Sequence, residues 1–357
     1  MAEQPDPVAT TPEPPTTPEP PTTPDDVQQA ARTGPYQPGE PTPGDRPPEA
    51  GPYRIEGELG HGGMGVVFRG HDPEFDRTLA VKVLLGQHRD RPELERRFLE
   101  EARLTGRLQH PGIAPVHAIG RLPDGRPFFS MKLIEGRTLA ELLKERKAPA
   151  DDLPRFLGVF GQVCQTLAYA HARGIFHRDV KPGNVMVGAF GEVQVTDWGL
   201  AKDRSAACGL EPAKPQAAPP DAHTQAGAVV GTLAYMAPEQ ASAEPADERA
   251  DVFGLGAVLC EILTGLPPYT GRDRDALWAR ARRADLAEAS SRLDGSGADA
   301  ELIALVKRCL AVARDDRPRH AGEVAQAVAA YLARVEERAR QAEQERGAAA
   351  TRSSVFD

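Results

Sequence analysis

The sequence has little that would direct the chain out of the cell or into a membrane. It opens with no apolar segment of the signal-peptide kind and has no run of about 18 apolar residues, so we expect neither secretion nor a membrane span. Only four cysteines occur, none spaced as Cys-x-x-Cys, and Cys164, Cys260 and Cys309 fall in apolar runs typical of helices. We therefore expect reduced core thiols, and neither disulfides nor cysteine metal ligands.

Positive charge is scarce relative to negative charge. The net charge of −9 over 357 residues argues against a general nucleic-acid-binding surface, although it leaves room for a local basic groove. An apolar fraction of 40% is enough for a core, and the length suits one large domain or two small ones. We expect a cytoplasmic protein.

The first 52 residues consist mainly of proline, threonine and glutamate, with a near-repeat of Thr-Pro-Glu-Pro-Pro-Thr at 11–16 and 17–22. Proline removes backbone donors and little apolar surface is present, so residues 1–52 are predicted to form an extended, disordered tail. A plain spacer, phosphorylation at Thr-Pro sites and docking of a proline-reading module all stay open.

From Tyr53 onward the pattern is typical of strands first and of helices later. β-type runs lie around Gly60, at 78–84 and at 127–133, and an amphipathic helix is predicted from Pro92 to Leu108. A strand-rich part followed by a helical part favours an α+β fold of two lobes, with a ligand cleft between them.

After Gly136 helical spacing dominates, interrupted by one predicted β-hairpin at 185–187 and 192–196. Residues 251–263 are apolar on nearly all sides, as expected of a helix at the centre of a domain. An Ala/Pro-rich stretch at 203–230 predicts a long loop, and residues 334–346 predict a solvated, charged helix. The helical spacing is carried by Phe156, Phe160, Val163 and Leu167, with Gly174 as the stop.

The segment His177–Asn184 reads His-Arg-Asp-Val-Lys-Pro-Gly-Asn and is the most informative stretch of the chain. Asp179 is suited to accept a proton from an attacking hydroxyl, and Lys181 to neutralise a phosphoryl group in transfer. Asn184 is suited to hold a metal ion, together with Asp197 of the Asp-Trp-Gly sequence thirteen residues later. A solvated charged loop is the bland alternative, and we set it aside because so many positions fit one mechanism.

Glycine-rich residues 60–67 fit the pattern Gly-x-Gly-x-x-Gly-x-Val, in which Gly60, Gly62 and Gly65 let the backbone approach phosphates. The same spacing occurs in dinucleotide-binding folds, where a helix opens at once. Here Val66-Val67-Phe68 continues in β-type residues, which favours a hairpin.

Lys82 lies inside an apolar β-type run, and a buried acid on the next helix is its expected partner. Glu101 falls three residues after Phe98 and so on the apolar stripe of that helix. Glu100 stays open as the alternative, because the sequence does not fix the helix register.

Taken together, these motifs resemble those of a protein serine/threonine kinase of the bacterial, eukaryotic-like (Hanks) type, over about Tyr53 to Ala333. The Gly-rich loop, Lys82, Glu101, the His177–Asn184 loop, Asp197 and then Ala237-Pro238-Glu239 follow in the family's order. The resemblance implies a kinase domain at 53–333, with an N-lobe at about 53–132, a C-lobe at 137–333 and a charged extension at 334–357. It implies ATP and Mg²⁺ as cofactors, with Mn²⁺ as a substitute, and Ser/Thr-bearing proteins as substrates in signal transduction.

Further roles are implied by the resemblance alone. Thr232 corresponds to the threonine that contacts the catalytic Asp and Lys, and Asp251 to the acid that braces the catalytic loop. Glu239 and Arg317 correspond to a structural ion pair. The gatekeeper corresponds to Met131 and the adenine-binding hinge to 132–134. The apolar walls of the nucleotide pocket correspond to Leu59, Val67, Ala80 and Met186, and Leu133 of the hinge is a further ATP-binding candidate.

In the family, the arginine at the position of Arg178 pairs with a phosphorylated residue of the activation loop. Thr224 is the preferred phosphosite here and Ser205 the second candidate, and the resemblance predicts autophosphorylation and suggests pairing of two copies. Two features depart from the pattern: Trp198 replaces the usual Phe, and the activation segment is long. We expect the Trp198 ring still to pack against the helix that carries Glu101.

Three alternatives remain. A pseudokinase would bind nucleotide without transfer, but every residue that the chemistry requires is present. A small-molecule kinase such as an antibiotic phosphotransferase would not need the Ala-Pro-Glu platform. The chain is also compatible with being the catalytic part of a larger receptor.

Overall fold

A computed structural model describes residues 46–203 and 231–353. The predicted tail up to residue 45, Cys208 and the two candidate phosphosites, Ser205 and Thr224, lie outside the described residues. Of the described residues, the first part is built on a six-stranded sheet in the order β1-β2-β3-β4-β6-β5, with every neighbouring pair antiparallel. Its strands are β1 (Glu49–Ala50), β2 (Tyr53–His61), β3 (Gly65–Asp72), β4 (Arg77–Leu84), β5 (Val116–Arg121) and β6 (Pro127–Lys132).

One helix, α1 (Pro92–Arg107), packs against this sheet. Pro92 occupies the start of the helix, where its missing N–H costs nothing, and Glu93 and Glu95 place negative charge at the positive end of the helix dipole. The helix buries Phe98 and Glu101 on the face toward the sheet. The strand and helix bounds agree with the sequence-based prediction to within a residue or two.

The second part is mainly helical. Its central helix, α5 (Glu248–Thr264), is buried on nearly all sides and ends at Gly265, whose φ of 78° suits only glycine readily. Around it lie α2 (Leu139–Glu145), α3 (Leu153–His171), α4 (Pro238–Ala241), α6 (Arg274–Arg283), α7 (Ala287–Asp294), α8 (Ala300–Cys309) and α9 (Ala321–Ser353).

Short strands connect the helical part to the cleft. The predicted hairpin forms from β9 (Val185–Gly188) and β10 (Val193–Val195), with Gly191 at a φ of 84° in its turn. Strand β7 (Gly136–Thr138) joins the other side of β9, while β8 (Ile175–Phe176) pairs with β11 (Lys202–Asp203). The hairpin thus connects the two predicted metal-binding residues, Asn184 just before β9 and Asp197 shortly after β10.

The large hydrophobic core lies in the helical part and includes the four helical positions predicted from spacing: Phe156, Phe160, Val163 and Leu167. Cys164, Cys260 and Cys309 are buried free thiols, as predicted. Burial raises the pKa of Cys260 to about 11, so this thiol is unreactive near neutral pH. The sheet and α1 carry two smaller cores of their own. The predicted α+β fold of two lobes is confirmed.

Helix α9 continues without a break from Ala321 to Ser353, so the predicted boundary at residue 334 falls inside one helix. Arg334 pairs with Glu301 of α8, and Arg338 lies 3.5 Å from Asp299, which holds the charged part of α9 near the helical core. Among the described residues, no helix is both long and apolar enough to cross a bilayer.

Candidate active site

The loop at 177–184 gathers its polar side chains around one carboxylate. Lys181 Nζ donates to Asp179 Oδ2 at 2.7 Å and to Thr232 Oγ1 at 2.7 Å. Asn184 Nδ2 donates to the same Oδ2 at 3.0 Å and to the Asp179 carbonyl at 2.8 Å. The structure therefore brings together Asp179, Lys181, Asn184 and Thr232, although Thr232 is 51 residues from Lys181 along the chain.

A buried acid of the central helix α5 binds the backbone of this loop. Asp251 is 1% exposed, and its carboxylate accepts the backbone N–H of His177 at 2.7 Å and that of Arg178 at 2.6 Å. His171 Nε2 adds a third bond to Asp251, at 2.8 Å. These bonds stabilise the left-handed backbone of Arg178, whose φ of 69° is costly for a residue with a Cβ.

The pKa of Asp251 follows from these contacts. Burial on its own raises the pKa of this carboxyl. The hydrogen bonds and positive charge of His171 and its neighbours lower the pKa by more than burial raises it, so the pKa lies below its ordinary value of 3.8. Asp251 is therefore an ionised buried acid whose charge is satisfied by the loop that it braces.

Asp197 follows β10 and faces the cleft. Its backbone is left-handed, with a φ of 63°, and its side chain is 55% exposed. The next residue, Trp198, is buried, and its indole N–H donates to the Val195 carbonyl while its ring meets His177 edge-on at 4.7 Å. The turn at 198–200 contacts α1, and the packing of the Trp198 ring itself against that helix stays a prediction.

Lys82 Nζ lies 2.6 Å from Glu101 Oε1 and 3.9 Å from Asp197 Oδ1. Glu100, the alternative partner, is exposed and pairs with Arg96 on its own helix instead. Burial lowers the pKa of Lys82, but Glu101 and Asp197 raise it by more, so this ammonium stays charged.

The other half of the Lys82 pair is less satisfied. Burial raises the pKa of Glu101 more than the charge of Lys82 lowers it. Its Oε2 is buried and has no hydrogen-bond partner in the described part of the chain, and it would lie 3.0 Å from a Cβ added at Gly199. A glycine at 199 therefore leaves space for the carboxylate.

The glycine-rich segment is a β-hairpin, as its β-type residues predict, because β2 and β3 are antiparallel and no helix opens between them. Gly62 N–H donates to the Gly65 carbonyl at 2.8 Å. His88 Nε2 donates to the Gly63 carbonyl at 3.0 Å, which ties the tip of the hairpin to the turn after β4. At Gly65 a Cβ would lie 2.6 Å from the Val83 carbonyl, so only glycine fits there.

The candidate pocket walls come from five strands or their ends. Ala80 on β4 pairs with Met131 on β6, and Val67 on β3 pairs with Lys82. Leu133 follows β6 directly, at the start of the predicted hinge. The remaining two, Leu59 on β2 and Met186 on β9, lie at opposite ends of the set along the chain.

Arg178 is half-buried, burial lowers the pKa of its guanidinium, and its Nε is buried without a hydrogen-bond partner among the described residues. Its carbonyl accepts from Gln240 of α4 at 2.7 Å.

Three residues that support the candidate site were not predicted from the sequence: His171, Gln240 and His88. Their partners are distant along the chain, and only a resemblance-based alignment to a known fold would have indicated them.

A family model of the protein kinase domain matches residues 53–329. Serine/threonine-protein kinase PknD of Protochlamydia amoebophila is 32% identical over 293 residues, covering 78% of this chain and 30% of the relative. Serine/threonine-protein kinase PknE of Mycobacterium tuberculosis (H37Rv) is 36% identical over 283 residues, covering 79% of this chain and 46% of the relative. The chain thus spans less than half the length of these curated relatives. The resemblance to bacterial serine/threonine kinases is confirmed, and the chain belongs to the protein kinase domain family.

Proposed function

We propose that this chain is an ATP-dependent protein serine/threonine kinase that transfers the γ-phosphoryl group of ATP to Ser or Thr hydroxyls. The observation that carries the proposal is the convergence of Lys181, Asn184 and Thr232 on Asp179, next to a cleft that presents Lys82 and Asp197. Each side chain has a separate task in phosphoryl transfer.

Asp179 is the candidate proton acceptor. Its Oδ2 accepts from Lys181 and Asn184, which fixes the carboxylate and leaves Oδ1 for the hydroxyl of a substrate. Lys181 is half-buried and close enough to offset negative charge that develops on the transferring group. Thr232 anchors Lys181 from the opposite side.

The donor set fits a hard divalent cation. Asn184 directs its amide nitrogen to Asp179, so its Oδ1 is left for a metal ion, and Asp197 offers a half-exposed carboxylate. Oxygen ligands of this kind suit Mg²⁺, with Mn²⁺ as a substitute. When bound, the metal would neutralise phosphate charge. Lys82, fixed by Glu101, would contact the α- and β-phosphates, and the pocket walls would enclose adenine.

We infer that activity is regulated through the activation segment. Arg178 has an unsatisfied Nε and lies one residue before Asp179, so a phosphate on Thr224, or on Ser205, would add charge-assisted bonds and order the segment. We expect autophosphorylation, with pairing of two copies as its route, and a catalytic domain exposed to the cytosol. Mass spectrometry after incubation with MgATP tests the site, and modification confined to threonines of the first 52 residues would reject Thr224.

The decisive experiment is phosphate transfer from radiolabelled ATP to a generic protein substrate by the wild type and by Asp179→Asn. We expect the variant to lose at least about a hundredfold in kcat, as usual when a positioned base is removed. Near-normal turnover by the variant would refute the role of Asp179. A wild type that binds MgATP but phosphorylates no protein would indicate a pseudokinase, and turnover of aminoglycosides alone would indicate a small-molecule kinase.

A further inference from the structure

Helix α6 and the residues just before it carry an uncompensated positive charge. Residues 272–283 contain five arginines and only two aspartates, in a chain whose net charge is −9. One of the five, Arg280, is ion-paired, with Glu288 at 2.8 Å and Asp285 at 3.4 Å. The side chains of Arg272, Arg274, Arg282 and Arg283 have no carboxylate within 4.0 Å among the described residues.

Several other surface arginines of the helical lobe form ion pairs with carboxylates. Arg249 lies 2.9 Å from Asp315, and Arg314 lies 2.6 Å from Glu244. Arg137 makes a bidentate pair with Glu145. Single exposed arginines such as Arg308 and Arg319 also lack a carboxylate partner among the described residues, but at 272–283 four unpaired guanidinium groups lie within twelve residues, so this surface retains its charge for an external anion.

Three residues of α6 form one row. Arg274, Trp278 and Arg282 are spaced at i, i+4 and i+8, so their side chains lie one above another along the helix. Arg274 and Trp278 are half-buried and Arg282 is exposed. The Nε of Arg274 is buried and has no hydrogen-bond partner among the described residues, so the terminal amino groups of this guanidinium, and not its Nε, would meet an incoming carboxylate.

The helix that carries this arginine row is separated from the catalytic loop by one short helix, α4, whose Gln240 donates to the Arg178 carbonyl at 2.7 Å. Helix α4 packs on α6, and the Tyr269 N–H, just before α6, donates to the Ala234 carbonyl at 3.4 Å. Ala234 is two residues from Thr232, whose hydroxyl accepts from Lys181 of the catalytic loop. A polypeptide that presents a side chain to Asp179 therefore has residues on one side of that position within reach of α6.

We propose that the row of Arg274, Trp278 and Arg282 binds an acidic segment flanking the phosphorylated residue of a protein substrate. Guanidinium groups bind carboxylates through paired N–H donors, and the indole between them offers an apolar surface for the intervening residues. The inference rests on the proposed kinase function and adds to it a substrate class. Because Arg282 is exposed and Arg274 is only half-buried, the gain is modest and depends on ionic strength.

The test uses synthetic peptides with one central threonine and flanks, on either side, of glutamate, glutamine or lysine. For the wild type we expect the KM of the glutamate-flanked peptide to be about three- to tenfold below that of the glutamine-flanked peptide at low salt. The difference should shrink at high salt. Charge reversal in the double variant Arg274→Glu/Arg282→Glu should invert the order, so that lysine flanks give the lowest KM.

The double variant Arg308→Glu/Arg319→Glu is the matched control, because both residues are exposed and unpaired on described parts of the chain away from α6. It should keep the wild-type order of KM values. Equal KM ratios in the α6 variant and the control would overturn the proposal. So would an α6 variant that loses binding to anionic vesicles or oligonucleotides while its peptide KM values stay at wild-type levels, since another polyanion would then be the ligand.

Failure of the kinase proposal is separable from failure of the docking proposal. If wild type phosphorylates none of the peptides, the proposed function is wrong, but fluorescence anisotropy still measures binding of the glutamate-flanked peptide to the α6 surface. Tighter binding of that peptide by wild type than by Arg274→Glu/Arg282→Glu supports docking, and equal binding refutes it.

Discussion

Two buried ion pairs of this molecule differ in how completely they are satisfied. In the helical lobe, Arg317 forms a bidentate pair with Glu239 at 2.7 and 3.0 Å and also donates to the carbonyls of Ala311, Arg249 and Val312. In the cleft, Lys82 donates to one oxygen of Glu101, and the other oxygen is buried with no partner among residues 46–203 and 231–353. In the first pair, all five N–H donors of Arg317 and both oxygens of Glu239 are therefore hydrogen-bonded within the protein.

The difference distinguishes an ion pair that serves only the fold from one that belongs to the candidate active site. A buried charge without full hydrogen bonding costs free energy, so a pair that serves only the fold is expected to be saturated. Among the described residues the Lys82 ammonium donates one hydrogen bond, to Glu101, and it lies 3.9 Å from a second acid, Asp197. Its remaining N–H donors are what incoming phosphates need, whereas the unbonded Glu101 oxygen is a cost that a pair serving only the fold would avoid.

The comparison predicts its largest effect for Lys82→Met. We expect phosphate transfer to fall by at least about a hundredfold, because the cation facing the phosphates is lost. The free energy of unfolding should change by no more than about 1–2 kcal/mol, because the raised pKa of Glu101 lets this acid become neutral when its partner is removed.

The control for this variant is Arg96→Met, which breaks the exposed Arg96–Glu100 pair on the same helix and should leave kcat near wild type. Kinase assays and urea unfolding of both variants check the prediction. A large loss of stability in Lys82→Met with normal transfer would make its pair structural, like that of Arg317.

Arg317→Met should show the opposite profile. Removing this guanidinium leaves Glu239 buried in the core without its partner, so we expect a loss of about 3–5 kcal/mol in the free energy of unfolding. Lys307→Met removes an exposed pair with Asp294 and should cost less than about 1 kcal/mol. Chemical denaturation distinguishes the two, and similar losses for both would contradict the assignment of Arg317 to the scaffold.

Asp251 combines the two behaviours, since it is fully buried yet supports the catalytic loop. Its folded-state pKa lies below 3.8, so the ionised form stabilises the fold above that value, and this contribution is lost as pH falls through the lower folded pKa. Asp251→Asn should cost about 1–3 kcal/mol near neutral pH. It should also lose less stability than wild type between about pH 4 and pH 2.

Unfolding of Asp251→Asn and wild type by urea at several pH values measures this difference. The control is Asp294→Asn, an exposed acid of α7 that pairs with Lys307. Parallel pH curves for wild type and Asp251→Asn would show that Asp251 does not titrate with a lowered pKa in the folded state.

Much of the fold could be predicted from residue patterns that span only a few positions. The stripe of α1 follows from the spacing of Phe98 and Glu101, and the β9–β10 hairpin from β-type runs on both sides of a Gly-rich turn. These features depend on residues a few positions apart, where helical and strand periods act directly. The burial of Glu101 and the exposure of Glu100 followed the same periodicity.

Long-range contacts were beyond such patterns. His171 lies 80 residues from Asp251, and nothing in the spacing around either residue indicates that they meet. The contact of Thr232 with Lys181 came from the family resemblance, because a loop of unknown path separates the two. A helix past residue 334 was predicted, but its ion pairs to α8 were not, since they depend on how the two helices pack.

The smallest predicted effect concerns the glycine-rich hairpin, which lies next to the Lys82–Glu101 pair. His88 fixes the Gly63 carbonyl, and Met64, the next residue, would lie 3.4 Å from a Cβ at Gly199, so this tether holds the glycine-rich hairpin close to Glu101. His88→Ala removes one hydrogen bond, and we expect the KM for ATP to rise about two- to fivefold with little change in kcat. His61→Ala, on the same hairpin but with only a loose 3.7 Å contact to Glu58, should leave the KM near wild type. Fluorescent-nucleotide titration compares the two variants, and equal affinities would show that the hairpin holds its position over the cleft without His88.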